Sequence, residues 1–198
     1  GLEKSAIPTD IGSTSHASDF CYMTSHDKLN VWTSQYSREF YKKRGNYIEI
    51  GGLEVARKDD DDRMLELIRK VGSGKAFGTK AHMISAAEAK EKFPLLEEDQ
   101  IQGAMWDPEA GLVTPRSQKV AGDLVDEAVA SGKLKTFAYT PATKVLVEDG
   151  VAVGVETPKG TIMADHIVLC AGIWGSLISE TANVKLPLMP LEHPLLVF

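Results

Sequence analysis

The segment Gly12-Ser13-Thr14-Ser15-His16-Ala17 gathers small residues that let the backbone come close, three hydroxyls and an imidazole. Backbone N–H groups and hydroxyls near a helix start suit a phosphate or an isoalloxazine edge. The plainer alternative is a Ser/Thr helix cap followed by a solvent-facing or core-satisfied histidine. Leu2-Glu3-Lys4 offers a carboxylate of the kind that binds ribose at the end of the second strand of a dinucleotide fold, about twenty residues after a Gly-rich turn. That turn would lie before residue 1, and an exposed Glu–Lys pair is the other reading of these residues alone. Gly72-Ser73-Gly74 with Gly78 imitates such a turn. It follows an amphipathic helix instead of a strand, so helix C-capping explains it better. His26, His82 and His166 share no ligand spacing, and Asp59 to Asp62 lack the alternating ligands and central glycine of a calcium loop, so no metal is expected.

These residues sit in a chain of 198 residues with 43% hydrophobic and 25% charged side chains, the composition of a folded globular protein. A net charge of −6 argues against a nucleic-acid partner, which would call for clustered Lys and Arg. Cys21 and Cys170 stand far apart, which supports neither a disulfide framework nor a thiolate zinc site and fits a reducing compartment. No apolar run approaches the ~18 residues of a membrane span, and no basic stretch leads into an apolar signal core. A cytoplasmic location is expected, with the mitochondrial matrix as alternative. The absence of an initiator Met points to an internal piece of a longer protein.

Several elements must position the chemistry. Asp27 caps a helix with Leu29, Trp32, Tyr36 and Phe40 on one stripe, expected to be core. Tyr47 to Ile50 and Leu53 to Ala56 flank Gly51-Gly52 as strand, bulge or tight turn, strand. Asp59 to Asp62 open a second helix that Gly72-Ser73-Gly74 ends. Ser85 and Glu88 form a capping box, and Thr114-Pro115 reads as an N-cap followed by proline at the first helical position. Leu134 to Tyr139, Thr143 to Val147, Val151 to Val155 and Gly160 to Ala164 read as a four-stranded meander. Ile167 to Gly172 is apolar enough for a parallel strand buried on both faces, leading into a helix over 173–182.

In order along the chain, Leu2-Glu3-Lys4-Ser5, Gly12 to Ala17, Gly51 to Ala56, Phe93-Pro94-Leu95-Leu96, the meander and Cys170-Ala171-Gly172-Ile173-Trp174-Gly175 resemble the FAD-dependent dimethylglycine and sarcosine dehydrogenase/oxidase group of the D-amino-acid-oxidase-like superfamily. The resemblance implies FAD bonded covalently through its 8α-methyl carbon to His16, with Glu3 on the adenosine ribose and Lys4 at the adenine end. It further places Gly12, Ser13 and Thr14 near flavin and pyrophosphate, the Val145 backbone on the adenine, and Ala171, Gly172 and Trp174 around the cofactor. Attachment to an imidazole withdraws electron density from the ring and raises its tendency to accept hydride. The implied reaction removes a hydride from an N-methyl or N-methylene carbon of a small amine to flavin N5. The iminium product hydrolyses to formaldehyde or passes its carbon to a folate. The resemblance also implies folate and an electron-transfer flavoprotein as partners, through other parts of the parent protein.

Leu191-Glu192-His193-Pro194-Leu195 resembles a segment where relatives carry an aromatic Tyr near the substrate, with Leu195 in that place; His193 is a catalytic candidate facing the flavin, or else a histidine at an exposed strand end. The expected fold is mixed α/β, an incomplete FAD-binding dinucleotide fold with an inserted substrate-binding domain. Residues 1–45 belong to the FAD-binding part and 46–133 mostly to the substrate part, with one helix returning to the FAD domain. Residues 134–183 supply the FAD-domain meander, core strand and helix, and 184–198 begin a second substrate segment. Such a piece is expected to hold FAD poorly by itself. Two rival readings are a noncovalent FAD amino-acid oxidase in which His16 merely packs, and a noncatalytic interaction module with a decayed flavin site.

Overall fold

Side-chain caps start three of the helices, and the elements collect in two compact units: Asp19–Arg116, and residues 1–18 with those from 117 on. The structure is a computed structural model and describes residues 1–9 and 11–192. In the first of these units β1 (Phe20–Cys21), α1 (Lys28–Lys43), β2 (Tyr47–Glu49), β3 (Gly52–Arg57), α2 (Asp61–Ala76), β4 (His82–Ile84), α3 (Ala86–Lys92), β5 (Ile101–Asp107) and β6 (Gly111–Val113) follow in order. They form two antiparallel sheets, β1-β6-β2 and β3-β5-β4. On β5, side chains alternate between faces. Met105 packs with Ala56, Leu67, Val71 and Ala81 on the α2 side, while Ala104 packs with Ile84 and Ala89 of α3.

The two extended runs around Gly51-Gly52 do not pair with each other. β2 pairs with β6 and β3 with β5, so the chain turns a corner between sheets at Gly51. Gly51 has φ +76°, and a Cβ there would lie 1.9 Å from Cη2 of Trp106. Only glycine meets both demands. The Ala110 carbonyl accepts from the N–H groups of Ile50 (3.2 Å) and Gly51 (2.9 Å), closing the corner. Fully buried Asp107 secures it from below, accepting from the backbone N–H of Met23 at 3.0 Å and of Glu109 at 3.2 Å.

The Asp27 carboxylate accepts from Asn30 N at 2.9 Å and opens α1 as expected. The stripe of that helix, however, faces solvent, with Trp32 59% and Tyr36 65% exposed and stacked on each other. Val31 is its buried residue. The helix is held mainly through polar groups on another side. Arg38 Nε donates to Glu49 at 2.7 Å and its Nη2 reaches Glu109 at 3.0 Å, while Lys42 Nζ lies 3.1 Å from Glu49. Helical spacing identifies an apolar stripe but does not name its partner.

Asp60 caps α2, accepting from Arg63 N at 3.0 Å. This helix runs through Gly72-Ser73-Gly74 instead of ending there. Gly74 allows close approach, since a Cβ would meet Thr79 Oγ1 at 2.5 Å and Thr24 Cγ2 at 2.7 Å, and the left-handed turn comes later, at Gly78. The Ser85–Glu88 capping box opens α3 with both reciprocal bonds formed. At the end of the unit the Arg116 guanidinium meets Asp19 at 2.7 Å, and Val113 N donates to Asp19 O at 2.8 Å.

The other unit contains α4 (Ser117–Ala130), β7 (Lys144–Glu148), β8 (Val151–Thr157), β9 (Gly160–Met163) and α5 (Gly175–Glu180). Thr114 does not cap α4. Its backbone exchanges bonds with Asn46, and after a cis Thr114–Pro115 bond the helix begins at Ser117. The meander has three strands, β7-β8-β9, with Asp149-Gly150 turning β7 into β8 at positive φ in both residues, as a tight hairpin requires. The expected first strand, 134–139, instead runs parallel to residues 1–5 through the Leu2–Phe137 bridge. The core strand expected at 167–172 is absent. Those residues have no regular ladder, and Val168 is 83% exposed. A buried parallel strand needs paired neighbours, and among the described residues none runs beside it. The helix that follows is shorter than expected, a 3-10 turn at Gly172–Trp174 leading into α5. The whole is mixed α/β with antiparallel sheets.

Candidate functional site

Residues 1–5 are fixed by backbone pairing. Phe137 N donates to Gly1 O at 2.9 Å, Glu3 N to Phe137 O at 3.0 Å, Thr140 N to Glu3 O at 2.8 Å and Tyr139 N to Ser5 O at 3.0 Å. On this support the Glu3 carboxylate folds back through Oε1 alone, accepting from Ser5 N (3.0 Å) and Ser5 Oγ (3.1 Å). Its second oxygen is left for another donor.

From Ser5 a chain of hydrogen bonds leads to His16. Ser5 Oγ and Thr9 Oγ1 are 3.1 Å apart, and Thr9 Oγ1 accepts from Gly12 N at 3.2 Å. The Gly12 carbonyl then accepts from Ser15 N (3.1 Å) and Ser15 Oγ (2.8 Å) and lies 3.1 Å from His16 Nδ1. Gln118 Nε2 on α4 donates to Thr9 O at 3.0 Å and ties the loop to that helix. Nδ1 also lies 3.0 Å from Ser15 Oγ, so the ring is held at this nitrogen from two sides. The His16 ring is exposed, and so are Ser13 and Thr14.

Gly12 to His16 form turns, and the next regular element is β1, so this segment does not open a helix as expected. The result keeps the donors available in a different way. Ser15 and His16 N–H groups close the turns on Gly12 O and Ser13 O, leaving those of Ser13 and Thr14 outside that pattern. Glu3 and Thr14 also line one cavity of about 270 Å³, with Ile7, Gln118, Val125 and Leu134 among its other walls.

The remaining expected residues are distributed as follows. Lys4 Nζ sits 3.6 Å from the centroid of the Trp174 ring. Ala171 is half-buried just before the 3-10 turn, and Gly172 adopts φ +51° with open space where a Cβ would point. Val145 is buried on β7, and its N–H donates to Thr181 Oγ1 at 2.9 Å. His193 and Leu195 lie outside the described residues. Thus Glu3, Gly12 and His16 form one connected array that carries Ser13 and Thr14 in its turns, and Lys4 and Trp174 touch. Ser5, Thr9 and Gln118 are the linking residues that the sequence reading missed. The Ser5-x-x-x-Thr9 hydroxyl spacing was a usable signal, whereas nothing local marks Gln118. Among the described residues no group of three His, Cys, Asp or Glu is placed to hold a metal, and no helix is long and apolar enough to cross a membrane.

Comparison with known proteins gives the family. The family described as FAD dependent oxidoreductase (DAO) matches residues 2–198. Human mitochondrial sarcosine dehydrogenase is 33% identical over 169 residues, covering 81% of this chain and 18% of that protein. The mouse mitochondrial pyruvate dehydrogenase phosphatase regulatory subunit is 28% identical over 191 residues, 92% of this chain and 21% of that protein. Among solved structures, L-proline dehydrogenase from P. horikoshii superposes with a TM-score of 0.76 at 28% identity, covering 92% of this chain and 48% of that one. The chain therefore spans about a fifth of the length of these curated relatives and about half of that solved chain.

Proposed function

Because the chain belongs to the FAD dependent oxidoreductase family, we propose that it forms part of an enzyme oxidising a small N-methylated amino acid, of the dimethylglycine or sarcosine kind, with FAD bonded to His16. Residues 1–18 and those from 117 on would supply the flavin-holding part, and 19–116 a substrate-facing part. The observation that carries the proposal is the hydrogen-bonded array from Glu3 to His16, which holds the imidazole through Nδ1 on an exposed turn.

The donor set fits a dinucleotide. Glu3 retains one carboxylate oxygen for ribose hydroxyls, and exposed Ser13 and Thr14 offer hydroxyls and N–H groups for phosphate oxygens. Bound flavin would supply hydride acceptance from the substrate C–N carbon. This chain's own residues bind and orient. Thr9 holds Gly12, the Gly12 carbonyl orients His16, and Gln118 anchors the loop to α4. Folate and an electron-transfer flavoprotein would be engaged by other parts of the parent protein. The word mitochondrial in the names of two relatives supports a mitochondrial location.

The test is to denature and precipitate the full-length protein and its His16→Ala variant. Flavin absorbance that stays with the wild-type precipitate and leaves the variant supports covalent attachment. Flavin released from both supports instead a noncovalent amino-acid oxidase. A second reading, a noncatalytic interaction module, draws on the likeness to the regulatory subunit. It is favoured if the native protein carries no flavin in either state.

A further inference from the structure

We infer that Lys4 is a positioning residue for the 171–174 turn, acting through Trp174 and not by its own contact with a ligand. The inference rests on the reading that this unit holds a flavin. It starts from the 3.6 Å separation between the Lys4 ammonium and the Trp174 ring centroid, well inside the ~6 Å range of a cation–π contact. Neighbouring side chains of an extended segment point to opposite sides. Glu3 folds toward Ser5 and the loop that carries His16, and Lys4 leaves on the other side toward Trp174.

The two ends of this contact are unequally anchored. Lys4 stands on a backbone held to residues 137–140 by repeated hydrogen bonds. The Trp174 side is sparsely held. After Ala164, whose N–H donates to Val153 O, the backbone bonds in the segment up to Trp174 are local, from Trp174 N to Ala171 O at 3.0 Å and from Gly175 N to Gly172 O. No side chain caps the 3-10 turn, and a Cβ built at Gly172 would meet nothing within 4 Å. Among the described residues, the polar contact that reaches residues 165–174 from elsewhere in the unit is that of Lys4. The ammonium therefore works as a clasp, ordering Ala171, Gly172 and Trp174 against a rigid base.

The experiment has two arms on the full-length protein. In the first, the Lys4 ε-methylene protons are observed by NMR without added flavin. The indole face shifts them upfield, and Trp174→Leu returns them to the ordinary lysine position. An unshifted wild-type signal overturns the clasp. In the second, FAD affinity is measured in the His16→Ala background, where binding is reversible. Lys4→Met and Trp174→Leu each weaken FAD about 2- to 5-fold, the range of an exposed cation–π contact. The double variant is no weaker than either single one, and Lys4→Arg restores affinity. Additive losses overturn the inference, because Lys4 would then contact the ligand independently. If the upfield signal is present but no variant binds FAD, the clasp stands and the flavin reading fails.

Discussion

Replacing Thr9 by Val keeps nearly the same shape and deletes the hydroxyl that joins Ser5 to Gly12. That oxygen lies 3.1 Å from Ser5 Oγ and accepts from Gly12 N at 3.2 Å, with a weaker approach from Ile11 N at 3.4 Å. Two well-formed bonds at ~0.5–1.5 kcal/mol each give about 1–3 kcal/mol. Gly12 is half-buried, so water recovers part of this, and about 1–2 kcal/mol is expected. That corresponds to roughly 5- to 30-fold more frequent opening of the loop. The assay is amide hydrogen exchange at Gly12 and Ser15, with the Leu67 amide in the core of α2 as an internal reference. In Thr9→Val the loop amides should lose protection while Leu67 is unchanged, and Thr9→Ser should stay near wild type. Equal protection in the Val and Ser variants would refute the claim that this hydroxyl holds the turn beneath His16.

Three further outcomes follow from the other unit. Gly51→Ala combines a left-handed backbone cost of ~1–2 kcal/mol with displacement of the Trp106 ring, ~1–3 kcal/mol, so chemical denaturation should show a loss of about 2–5 kcal/mol. Gly45→Ala, at φ +74° in open space, should show only the backbone cost, and equal losses would contradict the assigned clash. The hydrogen-bonded Arg38 guanidinium, helped by Lys42, holds the Glu49 carboxyl below its usual range. Its stabilisation is present above the unfolded value of about 4.3 and lost as pH falls through the folded one. The stability gap between wild type and Glu49→Gln should therefore close in acid, and a constant gap speaks against the ion pair. Burial foremost, then the charges of Glu54 and Asp107, pushes the Tyr22 phenol up, and burial followed by Cys21 does the same for Tyr47. Their stabilising effect is complete below about pH 10 and declines above it. Alkaline absorbance titration should show both phenolates appearing only with unfolding.

What could be read in advance was mostly short-range. Asp27, the Ser85–Glu88 box and Asp149-Gly150 act within a few residues of themselves, and each forms the predicted cap or turn. The Glu3-to-His16 segment was visible for the same reason, although its geometry is a series of turns and not a helix start. Pairing across long separations was hidden. β2 and β3 look like the arms of one turn, yet each finds its partner beyond residue 100, in different sheets. The stripe on α1 and the run at 167–172 show how apolar periodicity reports a surface that can be covered without saying what covers it. Lys4 and Trp174 were both singled out, but their contact spans 170 positions and leaves no trace in either local pattern.

The ion pair between Asp19 and Arg116 bears on how such a chain can diversify. Because the first and last residues of the 19–116 unit meet, that unit departs and returns at a single point. Closing it costs little more entropy if its interior lengthens, since each doubling of a loop adds only ~0.6 kcal/mol. Strands and helices between those two residues can thus be exchanged or enlarged with modest demands on the stem. A lineage could alter which molecules it accepts while inheriting the stem unchanged.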